Sequence, residues 1–298
     1  MNKLRITDLH CDTVTVAFDR GKSLFSNDLH ISVDKLRSFE KFCQVFAVWS
    51  DDKISGEEAW IRFLKVADFF KKQLTADRIP AGSEVILAVE GGKLIGNELS
   101  RLDTVRKLGV RFFTLTWNDP CPICGACGTE DGVSDFGYEV LEKCRRIGII
   151  PDISHASDKT AHDVIDFCER SGSICIATHS NSRAVCNHIR NLTDDLFKKL
   201  VKLGAVVGIS MAPQHLNESG TADISDIADH IEHYLSLGGE DTVCLGCDFD
   251  GIDSTPRGIG SVSDVYRIAD ELVKRGYSED LTDKIFYRNA HRFIDRYF

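Results

Sequence analysis

Eight short runs rich in β-branched and aromatic residues alternate with longer amphipathic stretches along the chain, and this alternation restricts it to α/β architectures built on a parallel sheet. The runs are "RITDLHCDT", "FCQVFAVWS", "EVILAVEGG", "VRFFTLTWN", "GIIPDISH", "ICIATHSN", "AVVGISMAP" and "TVCLGCDFDG". Between them, Glu57 to Leu74, Phe136 to Arg146, Asp158 to Arg170, Thr193 to Leu203 and Ile224 to Leu237 read as helices, many with apolar residues three and four apart. Thr193 with Asp194 and Asp195 marks a helix start, and Gly109, Gly148, Gly204 and Gly238 fall where helices stop. Eight strand–helix alternations in 298 residues, with no linker and no internal repeat, predict a single TIM-type (β/α)8 barrel domain over residues 1–298. An open doubly wound sheet is the alternative.

Composition narrows the partners. With 43% hydrophobic and 28% charged residues the chain reads as an ordinary globular protein. A net charge of −10 argues against nucleic acid or an anionic membrane as the main partner, because both attract basic surfaces. A small-molecule substrate is the better expectation. No apolar run of membrane-spanning length occurs and "MNKLRITDLH" lacks a signal-peptide core, so the expected location is cytoplasmic. Eleven cysteines scattered through strands and helices fit free thiols in a reducing compartment.

The strand ends carry the chemistry. His10 and Asp12 close the first run, Glu90 the third, His155 the fifth, His179 the sixth and Asp248 the eighth. Side chains two apart on a strand share a face, so His10 and Asp12 reach into one space. In a barrel all six positions lie on the C-terminal rim, where such enzymes place their active sites. Three histidines and three carboxylates suit zinc or a similar divalent ion. Six groups exceed what one ion normally takes, which predicts two ions bridged by a carboxylate.

Taken together, "DLHCDT", "AVEGG", "DISHAS", "THSNSRAVCNHIRNLTDD" and "GCDFDG" resemble, in order and approximate spacing, the motifs of the renal or membrane dipeptidase family of zinc metallopeptidases. The likeness runs from residue 6 almost to the C-terminus. It implies that His10 and Asp12 bind one zinc, that His155 and His179 bind the other, and that Glu90 bridges them. It further implies that Arg190 holds the substrate carboxylate, that Asp248 sits beside the substrate amine and the attacking water, and that the protein is a homodimer. The implied activity is hydrolysis of dipeptides, including those with a C-terminal D-residue. Two ions about 3.5–4 Å apart can share a water and lower its pKa toward neutrality, making solvent the nucleophile. Arginine is suited to a planar carboxylate through paired hydrogen bonds. Of the two aspartates in "GCDFDG", the resemblance favours Asp248 over Asp250 for proton transfer.

One departure from the renal pattern concerns the fourth run. The family's histidine against the scissile carbonyl is replaced in "LTWNDP" by Trp117 or Asn118, so Asn118 becomes the expected oxyanion donor and Trp117 a pocket wall. The stretch "SMAPQHLNES" differs as well. Gly91 and Gly92 are expected to give room for a close approach of substrate or ions, or else simply to form a tight turn. Cys121, Cys124 and Cys127 have CxxCxxC spacing without an evident fourth ligand, which favours a structural or redox-labile loop. His162, His188, His215, His230, His233 and His291 read as structural, with His230 and His233 on the outer layer. Two other classes compete: an amidohydrolase-like enzyme acting on a lactam, cyclic amide or phosphoester, and a non-catalytic metal-binding homologue.

Overall fold

The computed structural model describes residues 4–298. Seven parallel strands form one sheet: β1 (Ile6–Asp8), β2 (Phe42–Trp49), β3 (Glu84–Glu90), β4 (Val110–Thr114), β5 (Ile150–Asp152), β6 (Val207–Ile209) and β7 (Val243–Leu245). Their spatial order is β5-β4-β3-β2-β1-β7-β6. Register places Trp49 beside Glu90, Glu90 beside Thr114 and Thr114 beside Asp152, so four strands end in one row. That row is the floor of the site.

Only the sixth expected run fails to form a strand. Residues 174–181 contribute two isolated parallel bridges, Ile176 to Asp152 on β5 and Ala177 to Val207 on β6. The sheet therefore curls until both of its edges pair with the same segment. The ladder stops there because the Thr178 N–H donates to the Asp152 carboxylate at 2.9 Å, taking a side chain where a strand would take a carbonyl. Crowding fixes this backbone further: a Cβ on Gly208 or Gly246 would stand 2.0 or 1.7 Å from the Thr178 carbonyl oxygen. Only glycine fits at either position.

Helices cover the sheet where periodicity placed them: Gly56–Gln73, Asp135–Ile147, Asp158–Ser171, Asp194–Leu203 and Ile224–Ser236. Thr193 caps the fourth of these, its side chain accepting the Leu196 N–H, and left-handed Gly148 and Gly204 end two of them. Burial of Phe42, Phe46, Phe63, Phe112 and Phe113 joins strands and helices in one core. At about 25 cal/mol per Å² of apolar surface, aromatic side chains of this size each contribute several kcal/mol. No helix among the described residues is long and apolar enough to cross a membrane.

Candidate metal centre

Three histidines converge on one oxygen. Glu90 Oε1 lies 2.9 Å from His155 Nε2, 3.3 Å from His179 Nε2 and 3.6 Å from His10 Nε2. His10 Nε2 also stands 3.9 Å from both Asp12 Oδ2 and Asp248 Oδ1. Two overlapping groups have ligand spacing, His10–Glu90–His179 and His10–Asp12–Asp248. All of these side chains are buried. Folding thus brings together every residue expected to hold metal, from strand ends far apart in sequence.

The local backbone is strained at this place. His155, Asp248 and Asp250 are the described non-glycine residues with left-handed φ, at 68°, 61° and 66°. Such conformations cost on the order of 1–2 kcal/mol each and persist only where surrounding contacts compel them. Around Asp250 those contacts are visible: its carboxylate accepts from the Thr13 hydroxyl and, at 2.9 Å, from the His30 N–H. Its own N–H donates to His30 Nδ1 at 3.0 Å. Asp250 is a tie for the loop, which leaves the Asp248 carboxyl turned to the histidines.

The electrostatics call for a cation. Burial alone would lower the His10 pKa, but Glu90, Asp12 and Asp248 overcome it and push it up to about 10. Burial likewise raises the Glu90 carboxyl, yet His10, His155 and His179 outweigh this and hold it well below its usual range. Asp12 goes the other way, raised by burial and by the charge of Glu90. For Asp248, burial dominates, His10 partly offsets it and Glu90 adds to it, giving about 7. His155 is pulled down to about 4 by burial and by Arg190, and His179 falls well below its usual value by burial and by His10. Carboxylates crowded in a dry pocket compete for whatever positive charge is present. The residues fit a bound divalent ion: His10 Nε2, His179 Nε2 and Asp12 Oδ1 are buried with no hydrogen-bond partner, and those are the atoms a metal would take.

The surrounding side chains change several expectations. Asn118 is the expected oxyanion donor, a role its Nδ2 would supply, and its Oδ1 lies 3.0 Å from His155 Nδ1. An amide oxygen only accepts, so His155 donates to it from Nδ1 while its Nε2 faces Glu90. Asn118 therefore orients a histidine. Trp117 packs edge-on against Trp49 with ring centroids 4.9 Å apart and lies 6.1 Å from the His155 ring. Gly91 has φ +95°, and a Cβ on Gly92 would meet the Leu115 carbonyl at 2.3 Å, so these glycines serve the turn and its packing rather than ligand access. His230 is not on the outer layer: fully buried, it accepts the Ser182 N–H at 3.0 Å and meets the Leu216 carbonyl at 3.0 Å. His188 Nδ1 accepts the Arg190 N–H at 3.2 Å, and the His188 and His215 rings lie 4.6 Å apart, so both belong to the Arg190 neighbourhood. His233 pairs with Asp194 at the helix surface.

Arg190 is buried at 8% exposure, and its Nη2 has no partner. Burial lowers its pKa, opposed by Cys127, Asp248 and Glu90. No ligand-spaced group among the described residues includes Cys121, Cys124 or Cys127. Their loop is instead tied to the site by backbone, the Cys127 N–H donating to the His155 carbonyl at 2.7 Å. All eleven cysteines are free thiols. Sequence reasoning passed over Asp8, Asp152 and Thr178. Asp8 accepts from the His10 and Cys247 N–H groups and from Gln44, tying the first strand end to the last. The available signal was adjacency, since each polar residue sits one to three positions before a candidate ligand.

The sequence matches the family model for membrane dipeptidase, peptidase family M19, over residues 1–296. The chain belongs to the membrane dipeptidase family. Within that family it is 31% identical to Dipeptidase 3 of Rattus norvegicus over 311 residues, covering 98% of this chain and 60% of that protein. It is 32% identical to an uncharacterised dipeptidase of Schizosaccharomyces pombe over 220 residues, covering 71% and 52% respectively. The chain thus spans about half to three-fifths of the length of these relatives. In fold it resembles a metallopeptidase of Rhodobacter sphaeroides solved with a phosphinate mimic of L-Ala-D-Ala, at TM-score 0.89, 22% identity and 100% coverage of both chains. The family M19 dipeptidase AC gives TM-score 0.87 and 24% identity over 99% of each chain. At these identities the likeness to the two metallopeptidase structures is one of fold.

Proposed function

We propose that this member of the membrane dipeptidase family is a dipeptidase that uses two zinc ions, with the curled sheet and residues 174–181 forming an eight-stranded barrel around them. The convergence of three histidine Nε2 atoms on Glu90 Oε1, two of them buried without partners, carries this reading. In it His10 and Asp12 serve one ion, His155 and His179 the other, and Glu90 both. Bound divalent ions supply Lewis acidity and an acidified water at this position. Arg190, with its unpartnered Nη2, receives the substrate's terminal carboxylate in bidentate fashion and so sets the peptide bond over Glu90. Asp248 takes a proton from the attacking water and returns it to the leaving amine. Trp117 and Trp49 wall the pocket and exclude solvent. The dipeptide mimic held by the Rhodobacter sphaeroides protein supports a substrate of that size and tolerance of a C-terminal D-residue. A homodimer in the cytoplasm completes the reading.

Elemental analysis after zinc incubation, combined with turnover of L-Ala-D-Ala and its C-terminal amide, tests it. Two ions per chain, loss of activity with a strong chelator and a large penalty for the amide are expected. Arg190→Lys should raise KM for the free dipeptide far more than for the amide. Equal turnover of both substrates would instead favour a broader amidohydrolase, and one ion per chain would remove the bridging role of Glu90.

A further inference from the structure

The histidines around Glu90 are held from behind, and two of them share one group. Thr178 Oγ1 lies 2.6 Å from Asp152 Oδ2, 2.8 Å from His179 Nδ1 and 3.4 Å from His10 Nδ1. Counting protons determines who donates. Asp152 is fully buried, and its carboxylate receives the N–H groups of Ser154 and Thr178 at 2.9 Å and the Thr114 hydroxyl at 2.6 Å. A carboxylate facing donors on all sides is an acceptor only, so the single hydroxyl proton of Thr178 goes to Asp152. Two lone pairs remain on Thr178 Oγ1. Each faces a ring nitrogen, so both nitrogens carry their protons. Ser154 Oγ, 3.4 Å from the same oxygen, accepts the His179 N–H at 3.1 Å, and its own proton has Ser180 Oγ as an acceptor, also at 3.4 Å.

The consequence reaches the front of the site. With Nδ1 turned back to Thr178, it is the Nε2 atoms of His10 and His179 that face Glu90, and these are the buried nitrogens that lack any partner. We propose that Thr178, oriented by Asp152, is a positioning residue that fixes the tautomers of both His10 and His179 and so links the two halves of the metal centre through one hydroxyl. The link to His179 is the tighter, and the longer contact to His10 is the weaker. Thr178 cannot drift, since its N–H is held by Asp152 and its carbonyl is enclosed by Gly208 and Gly246.

This inference rests on the two-ion reading for what the histidines hold, and the test separates the two. Nitrogen-15 spectra of the histidine rings, recorded on metal-free and zinc-loaded protein, report the proton positions, while competition of zinc against a chromophoric chelator reports both affinities. Wild type and Thr178→Ser should show Nδ1 protonated in His10 and His179. Thr178→Val should weaken zinc by about 10–100-fold at the His179 position and by less at the His10 position, with KM of the zinc-saturated enzyme unchanged. Wild-type affinity at both positions in Thr178→Val, or unprotonated Nδ1 atoms in the native protein, overturns the proposal. Weakening at the His179 position alone overturns the shared role. A native protein that takes fewer than two ions defeats the two-ion reading, while the ring spectra still decide for or against Thr178. Should the valine variant fail to fold, the native and serine spectra decide alone.

Discussion

Asn118 Oδ1 can only accept, so its 3.0 Å contact makes His155 Nδ1 the donor and separates two roles that the sequence merged. An oxyanion donor removed from this loop would lower turnover by about a hundredfold with the ions intact. A group that orients a metal ligand acts differently. Asn118→Ala should weaken the ion at the His155 position by about 10–100-fold, and excess zinc should restore much of the turnover. Asn118→Asp, which keeps an acceptor, should retain the ion better than alanine does. Stepwise zinc affinities and zinc-dependent kcat for both variants provide the check, and a turnover loss that saturating zinc leaves untouched would return Asn118 to the oxyanion. What the sequence made legible here was residue type: histidines and carboxylates at strand ends. The partner of each ring nitrogen was not legible, because Asn118 meets His155 across 37 positions and Thr178 meets His10 across 168.

At the scale of elements, the loop that bears Arg190 depends on a helix behind it. His230, in the helix Ile224–Ser236, accepts the Ser182 N–H through Nδ1 and donates from Nε2 to the Leu216 carbonyl, joining two loops at the rim. Replacing it with alanine orphans two buried backbone groups, each costing on the order of 1–3 kcal/mol. Its acid behaviour follows from the same bonds. Burial pulls the His230 pKa down to about 4 from 6.5, partly offset by the Leu216 carbonyl. The unfolded chain therefore binds the extra proton first as pH falls. Stability from this group is complete above about 6.5 and declines as pH drops toward 4, by at most about 1.4 kcal/mol per pH unit. Urea unfolding of native protein and His230→Gln between pH 7 and pH 4.5 should give a flatter pH profile for the variant. Parallel profiles would place the acid sensitivity elsewhere. Periodicity had located this helix to within a residue or two but misjudged its buried face, since i, i+3 spacing does not say which stripe meets the loops.

For the molecule as a whole, the centre gathers the buried carboxyl groups of Asp12, Glu90 and Asp248 in a chain already carrying a net charge of −10. Metal binding should therefore appear as global stability. An ion that binds only the folded state at a hundredfold excess over its Kd adds about 2.7 kcal/mol, which corresponds to several degrees in Tm. Scanning calorimetry of chelator-treated and zinc-reloaded protein should show that rise. Glu90→Gln should lose most of it, because one side chain is proposed to serve both ions. An unchanged Tm on reloading would separate the carboxylate cluster from metal binding altogether.

By itself the sequence determined the alternation of strands and helices, the helix stops at Gly148 and Gly204, and the residue types at each strand end, because these follow from local periodicity, backbone preference and side-chain chemistry. Only the tertiary structure decided that residues 174–181 would meet both sheet edges through isolated bridges, since the Asp152 carboxylate displaces a ladder partner there. It also decided that Gly92 serves packing and that Asn118 holds His155. The reason is common to all three: each depends on atoms brought together by the curl of the sheet, and a linear pattern of residue types carries no record of which side chain fills the space behind another.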